Sequence, residues 1–294
     1  MDLSIIILNY KQKGLVKQCI KGIVTTQPNL DYEIIVVDNN SDDNCLEMVK
    51  NIFKDNLKNN EIQPELPIIN KLEIPPIETI QSKSNDGFAV GNNLGIKQVK
   101  GEYVMILNPD IAVVPGALEK MVNFMQENQQ VGIIGPRLIN PDGSVQYSCR
   151  RFPSLMTPLY RRTFLGKLLF AKKPLIDYLM KDFDHEEKIE VDWLFGACLL
   201  IRKSVMDKVG LFDERFFMYF EDLDLCRRVW QAGFKIIYFA KVEMVHYHQR
   251  LSAERNGVLG ILSKGGRIHI ASGIKYFAKY LGVKLPERGS GQKA

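Results

Sequence analysis

Acidic side chains occur at two places in the sequence where they could carry out chemistry. Asp110 closes the polar turn Asn108-Pro109-Asp110, and the acidic run 221–224 follows an aromatic stretch. A carboxylate such as Asp110 suits a hard divalent cation, Mg²⁺ or Mn²⁺, which proteins often share with substrate phosphates. Burial among aromatic residues raises the pKa of a carboxyl group towards the range of a general base. We therefore expect a metal ligand at Asp110 and a base within Glu221-Asp222-Leu223-Asp224.

Each of these residues also has a structural alternative. The acidic run opens a predicted helix, where negative charge stabilises the helix dipole. Asn108 could add an amide oxygen to a metal or only orient a water molecule. His246 follows a late strand, and a single histidine is more often structural than a ligand.

The elements that must position these residues alternate between strand and helix. Short apolar runs at residues 3–8, 33–37 and 103–107 are typical of buried strands, and a further strand is expected near 78–82. Helices are expected around 14–25 and from about 44. This alternation predicts an α/β fold with a doubly wound, mostly parallel sheet. Further along we expect a strand at Trp193–Arg202, a helix at Phe220–Ala232, a strand at Lys235–Ala240 and a tail helix within 265–282.

Polar residues follow three of the strands, at the edge where open α/β sheets bind ligands. They are Asn9 with Tyr10, Asp38 with Asn40, and Asn108 with Asp110. A loop rich in glycine and asparagine, residues 85–95, leads into another helix. Its Gly87 and Gly91 would let the backbone approach a ligand, and the helix amides would favour a phosphate.

Several classes of protein are excluded or disfavoured. The turn after the first strand lacks the G-x-G-x-x-G of dinucleotide sites, and no P-loop is present. In a chain of 294 residues the longest apolar run has eight, at Leu194–Ile201, too few to span a bilayer. The N-terminus lacks a secretory-signal pattern. Five scattered cysteines without a CxxC indicate reduced thiols in a cytoplasm.

The net charge of +5 is unevenly distributed. Residues 150–181 carry eight basic side chains against Asp177, and the chain from Lys264 onward carries seven against Glu287. Such patches suit an anionic partner or are simply solvated. We find no nucleic-acid recognition module, so nucleic acid is not an expected partner, while phosphates and an anionic membrane surface both stay open.

Six segments, taken in order, resemble glycosyltransferase family 2, whose members have the GT-A fold. They are Ile5–Tyr10, Val36–Ser41, Asn85–Gly95, Leu107–Asp110, Trp193–Ala197 and Phe217–Arg228. The resemblance spans about residues 3 to 250. The Asn-Pro-Asp turn and His246 are most similar to the branch that contains rhamnosyltransferases of cell-surface polysaccharide assembly. Asn108 stands where many relatives have aspartate.

The resemblance implies roles for individual residues. It implies that Asp222, with Glu221 beside it, is the catalytic base and that Asp110 and His246 hold the metal. The nucleotide-binding residues it implies are Asn9, Tyr10, Asp38, Asn40, Asn85, Gly87, Asn93 and Asn108. Those implied around the donor and acceptor sugars are Trp193, Gly196, Ala197 and Asp224.

The implied reaction is an inverting transfer from a nucleoside-diphosphate sugar, dTDP-L-rhamnose in the branch named above. Mg²⁺ or Mn²⁺ would neutralise the departing diphosphate. The implied acceptor is a hydroxyl of a glycan or of a polyprenyl-diphosphate-linked sugar. An enzyme of this kind would be cytoplasmic, peripheral on the inner face of the cell membrane.

The expected organisation is a GT-A domain over residues 1–250 and a basic, amphipathic helical tail over 251–294. Within the domain, residues 1–112 would bind the nucleotide and 113–250 the acceptor, with a surface insertion at 54–76. A catalytically silent sugar-nucleotide-binding or scaffold subunit is the alternative from another class. A nucleotidyltransferase is a third, although Asn9-Tyr10-Lys11-Gln12 does not resemble its triphosphate loop.

Overall fold

The computed structural model describes residues 1–52, 73–162, 164–247 and 263–286. Most of the predicted insertion at 54–76 and parts of the predicted tail, 251–262 and 287–294, lie outside the described residues.

The first half of the chain alternates strand and helix, as its sequence predicts. Its elements are β1 (Leu3–Asn9), α1 (Lys13–Thr26), β2 (Tyr32–Asp38), α2 (Cys45–Asn51), β3 (Ile77–Gln81), α3 (Phe88–Ile96) and β4 (Tyr103–Leu107). The four strands are parallel, in the order β3-β2-β1-β4. Neighbouring residues face opposite sides of the sheet, so that Ile5 and Ile7 enter one apolar core and Ile6 the other. Burial on both faces explains the uninterrupted apolar runs.

The second half of the chain is less regular. Its elements are β5 (Ile111–Ala112), α4 (Ala117–Glu127), β6 (Val131–Ile139), β7 (Val145–Gln146), β8 (Cys149–Arg150), α5 (Thr157–Arg162), a 3₁₀ turn (Phe164–Lys167), α6 (Leu169–Leu179), β9 (Ile189–Glu190), β10 (Trp193–Leu194), β11 (Cys198–Arg202), α7 (Lys203–Val209), α8 (Glu221–Gln231), β12 (Lys235–His246) and α9 (Lys264–Lys279). The main sheet continues from β4 through β11, β6 and β12 to β5.

Strand β11 reverses direction and thereby brings two parts of the chain together. It runs antiparallel to β4, with Cys198 opposite Leu107. The start of β11 therefore lies beside the end of β4. At the same edge β1 and β2 end in register, with Asn9 opposite Asp38. Residues from three parallel strands and the segment before β11 share this edge.

The single strand expected at Trp193–Arg202 is wrong. Trp193 and Leu194 pair with β8 in a separate two-stranded sheet, whereas Cys198 begins β11 in the main sheet. The change of sheet occurs at Gly196, whose amide donates to a carboxylate of α8, whereas Phe195 N still bonds to Ser148 O and Ala197 O to Asn108 N. An apolar run carries no mark of such a change of sheet, since all of these residues are apolar or small.

The tail helix α9 packs on the segment before α8. Its buried residues are Gly266, Ser272, Gly273 and Tyr276. The Ser272 hydroxyl donates to the Met218 carbonyl oxygen at 2.8 Å. The apolar residues at helical spacing are only partly covered, and Ile274 is 65% exposed.

Candidate functional site

The ends of β1 and β2 are held together by one buried amide group. Asn9 Nδ2 donates to Asp38 Oδ1 at 2.7 Å and to Ser41 Oγ at 3.0 Å. The Asn9 Oδ1 atom accepts from the Gln12 backbone at 3.0 Å. Asn9 is fully buried, so it shapes the loop and does not face a ligand. Tyr10, directly after it, is exposed and can stack on a flat ring.

Asp38 is ionised in this setting. Burial alone would raise its pKa, but hydrogen bonds from Ser41, Asn9 and Gln81 outweigh burial and lower the pKa below its ordinary value. Asp38 and Asn40 line a cavity of about 400 Å³ between the end of β2 and α2. A carboxylate here can accept hydrogen bonds from a ribose or a base.

The loop before α3 is joined to β2 by Asn39, a residue that the sequence did not single out. Asn39 Nδ2 donates to Asn85 Oδ1 at 3.0 Å and to the Gly87 carbonyl oxygen at 3.1 Å. The loop containing Asn85 thus adjoins the Asp38 loop. Asn93, by contrast, is buried with Nδ2 bonded to Phe212 O and Glu214, and with Oδ1 bonded to Phe212 N. Its polar atoms are bound within the protein, which corrects the expectation that Asn93 lines the nucleotide.

The two glycines of this loop pack closely against the protein on the side where a Cβ would stand, and their role beside a ligand stays a prediction. Gly87 has φ +102°, and a Cβ there would lie 2.0 Å from the Phe217 carbonyl oxygen. A Cβ at Gly91 would lie 2.5 Å from Leu8 Cδ1. The first amide of α3, that of Phe88, donates to Phe217 O at 2.7 Å. Glycine is needed at position 87 for packing and for its left-handed backbone.

Asp110 and His246 lie side by side, as the resemblance implies. The His246 Nε2 and Asp110 Oδ1 atoms are 3.3 Å apart. Strand pairing sets this geometry, since β5 pairs with the end of β12 and Tyr247 N donates to Asp110 O at 2.8 Å. His248, the second histidine of this region, lies outside the described residues.

Gln146 fixes the orientation of the His246 ring. Gln146 Nε2 donates to the His246 carbonyl oxygen at 3.0 Å, so its Oε1 is the atom that faces His246 Nδ1 at 2.7 Å. His246 Nδ1 must therefore carry the hydrogen, and in the neutral ring the Nε2 lone pair faces Asp110. His246 Nε2 and Asp110 Oδ1 are thus neighbouring atoms of the two types, imidazole nitrogen and carboxylate oxygen, that bind a divalent cation.

These residues fit a divalent cation held in part by its substrate. Asp110 Oδ1 is buried and accepts no hydrogen bond from any described residue. The described residues contain no cluster of three or more metal-binding side chains. Two protein ligands with diphosphate oxygens and water are a usual arrangement for Mg²⁺, and imidazole with carboxylate also suits Mn²⁺.

The segment Gly196-Ala197 connects the metal-binding pair to the acid pair. Asn108 N donates to the Ala197 carbonyl oxygen at 2.8 Å, on the side of β4 and Asp110. Gly196 N donates to Asp222 Oδ2 at 2.9 Å, on the side of α8. Consecutive residues make the two contacts, so the Asn108 turn and Asp222 adjoin the same short segment.

Asp222 and Glu221 are adjacent acids at the start of α8, but their carboxyl groups differ in hydrogen bonding. Desolvation raises the pKa of Asp222 to about 6, although the amides of Gly196 and Leu223 donate to its oxygens and oppose the rise. Burial and the neighbouring Asp222 charge raise the pKa of Glu221 well above its ordinary value. The pair therefore holds its proton on Glu221, and Asp222 is the carboxylate that can accept another.

Asp224 has a structural role, which corrects its expected place among the sugar-binding residues. Its side chain is fully buried and bonds to Arg228, Lys279 and Tyr280. Trp193 lies nearer the site, where its indole N–H donates to Arg151 O at 2.9 Å. Asn39 and Gln146 had no sequence signal beyond amide side chains near strand ends.

No helix within the described ranges is both long enough and apolar enough to cross a membrane.

Comparison with known proteins gives one consistent result. The family model "Glycosyl transferase family 2" matches residues 4–210. An N-acetylglucosaminyl-diphospho-decaprenol L-rhamnosyltransferase of Mycobacterium tuberculosis is 32% identical over 184 residues, 59% of each chain. The rhamnosyltransferase WbbL of Escherichia coli is 28% identical over 66% of this chain and 70% of its own. The match thus spans about three fifths of the length of the mycobacterial relative.

Solved structures show the same fold at low identity. A mannosyltransferase of Pyrobaculum calidifontis, in complex with GDP-Man and Mn²⁺, aligns with a TM-score of 0.55 at 13% identity, over 96% of this chain and 75% of its own. GalNAc-T7 with UDP, GalNAc and Mn²⁺ aligns with a TM-score of 0.57 at 14% identity, over 85% and 44%.

Proposed function

The chain belongs to glycosyltransferase family 2, and from this premise we propose that it transfers a sugar from a nucleoside diphosphate to a hydroxyl group with inversion. The acceptor is a glycan or lipid-linked sugar of cell-surface polysaccharide synthesis, reached from the cytoplasmic face of the membrane. The observation that carries this proposal is the segment Gly196-Ala197, which contacts the Asn108 turn on one side and Asp222 on the other.

The donor nucleoside would bind at the ends of β1 and β2. Exposed Tyr10 is available to stack on the base, and ionised Asp38 to accept from the ribose or base. Asn40 and Asn85 complete this side, while Asn9 and Asn39 keep the loops in place. Asn108, at the end of β4, would add to the binding of the diphosphate.

Asp110 and His246 would hold Mg²⁺ or Mn²⁺, with Gln146 orienting the imidazole. When bound, the cation neutralises the charge that develops on the departing diphosphate. The protein's part is to present the His246 lone pair and an Asp110 oxygen to the same point.

Asp222 would accept the proton of the acceptor hydroxyl. That oxygen forms a bond to the anomeric carbon as the bond from this carbon to the diphosphate oxygen breaks on the opposite face. The nucleoside diphosphate leaves with the bonding electron pair, and one displacement inverts the anomeric carbon. Glu221 stays protonated, so only Asp222 of the pair is charged.

The specific donor proposed is dTDP-L-rhamnose, with a polyprenyl-diphosphate-linked acceptor. The support is that the mycobacterial and E. coli relatives are rhamnosyltransferases, together with the Asn-Pro-Asp turn. The alternative, a silent sugar-nucleotide-binding subunit, draws on Asn108 standing in place of an acid. The raised pKa of Asp222 favours the enzyme, because binding alone requires no base.

The test is a panel of sugar nucleotides, measured for turnover and for thermal stabilisation with and without Mn²⁺. We expect Asp222→Asn to lower turnover by about a thousandfold or more while donor stabilisation persists. Asp110→Ala should abolish the Mn²⁺-dependent part of that stabilisation. Asp207→Asn, on an exposed position of α7, is the control. Full turnover by Asp222→Asn would rule out the base, and stabilisation without turnover in the wild type would favour the silent subunit.

A further inference from the structure

The exposed face of α5, the 3₁₀ turn and the start of α6 is unusually apolar. Leu155 is 67% exposed, Leu169 82% and Phe170 61%. Met156, Leu159 and Leu168 are exposed beside them. The rings of Tyr160 and Phe170 pack edge to face at 5.9 Å and join the two helices. We call the surface formed by Leu155, Met156, Leu159, Leu168, Leu169 and Phe170 the apolar ridge. Contiguous exposed apolar surface of this kind marks an interaction site.

The charge around the apolar ridge has one sign. Between Arg151 and Ile176 the sequence has six basic residues and no acidic residue. Lys167, Lys172 and Lys173 are exposed next to the ridge. The first acid on α6 is Asp177, at the far end of the helix. A protein partner would have to match the shape of the ridge and carry acidic residues around its apolar contact. An anionic lipid surface offers hydrocarbon for the apolar side chains and phosphate groups for the lysines beside them.

Hydrogen bonds connect the helix that carries part of the ridge to the segment beside Asp222. Buried Tyr178, near the end of α6, accepts at its backbone oxygen from Arg151 N at 3.1 Å. Arg151 O in turn accepts from the Trp193 indole. Trp193 begins the segment whose Gly196 amide donates to Asp222.

We propose that the apolar ridge docks on an anionic membrane, with Leu169 and Phe170 entering the headgroup boundary and the three lysines contacting lipid phosphates. The docking itself stands on exposure and charge. Its purpose, delivery of a lipid-linked acceptor to Asp222, rests on the proposed function. The tail helix is a weaker candidate for membrane docking because its lysines already have partners. Lys275 donates to the Arg215 carbonyl oxygen, and Lys279 pairs with Asp213 and Asp224.

The test is flotation of the full chain with phosphatidylcholine vesicles, alone or mixed with one third phosphatidylglycerol. We expect wild-type protein to float with the anionic vesicles at low salt and to be released at high salt. The double variant Leu169→Ser/Phe170→Ser should lower the partition coefficient at least about tenfold. The triple variant Lys167→Gln/Lys172→Gln/Lys173→Gln should lower it on the order of a hundredfold.

The matched control is Ile274→Ser/Leu281→Ser, which removes exposed apolar residues from the tail helix and its end. It should float like the wild type. Circular dichroism verifies folding, which these exposed substitutions should leave intact. Wild-type protein that stays unbound at low salt, or equal losses in the ridge and control variants, would overturn the proposal.

Two further measurements separate the alternatives. Light scattering shows whether the ridge pairs two copies: a wild-type dimer that Leu169→Ser/Phe170→Ser converts to monomer, without vesicle binding, contradicts a membrane role. Turnover with a short, water-soluble acceptor should be the same in the ridge variants and the wild type. If the wild type floats but shows no turnover, the proposed function is wrong and the proposal of a membrane-docking surface is unaffected.

Discussion

At the scale of single residues, the two neighbouring acids of the site differ in protonation: Glu221 carries a proton and Asp222 carries the negative charge. Asp222 accepts two backbone amides, whereas Glu221 Oε2 has no hydrogen-bond partner among the residues that the structure describes. A carboxylate with amide donors keeps its charge at lower pH than one without them. Two adjacent acids therefore take different roles without a change of residue type.

The first residue-level prediction concerns pH. Because the pKa of Asp222 is raised to about 6 and the base must be ionised, turnover at saturating substrate should fall as the pH drops below about 6. The fall should approach tenfold per pH unit, and the rate should level off above about pH 7. A pH profile of kcat measures this. A flat profile between about pH 5 and pH 8 would contradict the assignment of Asp222.

The second residue-level prediction concerns Gln146 and the affinity for Mn²⁺. Replacing it by leucine removes the acceptor that fixes the His246 tautomer, so Mn²⁺ affinity in the presence of a nucleoside diphosphate should fall about 10- to 100-fold. Titration calorimetry measures the change. The exposed Gln129→Leu serves as its control. Equal affinities in the two variants would show that Gln146 does not orient the ring.

The places of Asp110, Asp222 and Asp38 at strand or helix ends could be predicted from the sequence, and their roles stay predictions. Gln146 could not, because it is 100 residues from His246 and its partner is recognised only after β7 and β12 are placed. Asn93 and Asp224 show the converse. Their types suit a ligand site, yet internal bonds use their polar atoms.

At the scale of elements, α9 holds the segment that leads into the acid pair. Lys279 contacts Asp213 at 2.7 Å and also Asp224, on either side of that segment. Tyr219 and Phe220, between them, have φ of +68° and +72°, a conformation that non-glycine residues rarely adopt. We call the contacts of Lys279 with Asp213 and Asp224 the clamp. The family match ends at residue 210, so the clamp lies beyond the matched residues.

We predict that Lys279→Met lowers the free energy of unfolding by about 1 to 3 kcal/mol, because it leaves buried Asp224 with one cationic partner fewer. Lys275→Met, one turn earlier, loses only an exposed bond to Arg215 O and should cost less. Urea titration of both variants measures the difference. Equal losses would mean that the Asp224 pair does not stabilise the clamp.

The parallel strands could be predicted because burial on two faces leaves uninterrupted apolar runs. The packing of α9 could not, since its buried face is made of Gly266, Ser272, Gly273 and Tyr276 rather than its isoleucines. The break within Trp193–Arg202 was equally hidden, because it occurs at Gly196, inside a run of apolar and small residues.

At the scale of the whole molecule, the sheet buries every cysteine. All five are free and buried, and burial raises the pKa of Cys19, Cys45 and Cys149 to about 12. We predict that a thiol reagent such as Ellman's reagent reacts with none of them in the folded protein and with all five in denaturant. Rapid labelling of native protein would contradict the described core.

The α/β class, the shared strand edge and the family could be predicted from the order of the motifs, and the comparisons confirm the family and the fold. The position of β11 between β4 and β6 could not. The position of β11 depends on pairing with β4 and β6, which are distant in the sequence. The apolar run Cys198–Arg202 has no pattern that indicates which strands it pairs with.

The contact between Gly87 and Phe217 links the two halves of the site mechanically. Because the backbones touch with no room for a methyl group, the loop beside the nucleoside cannot shift without moving the segment that ends in the acid pair. If the donor binds beside this loop as proposed, its binding would bear directly on the segment that leads into Glu221 and Asp222.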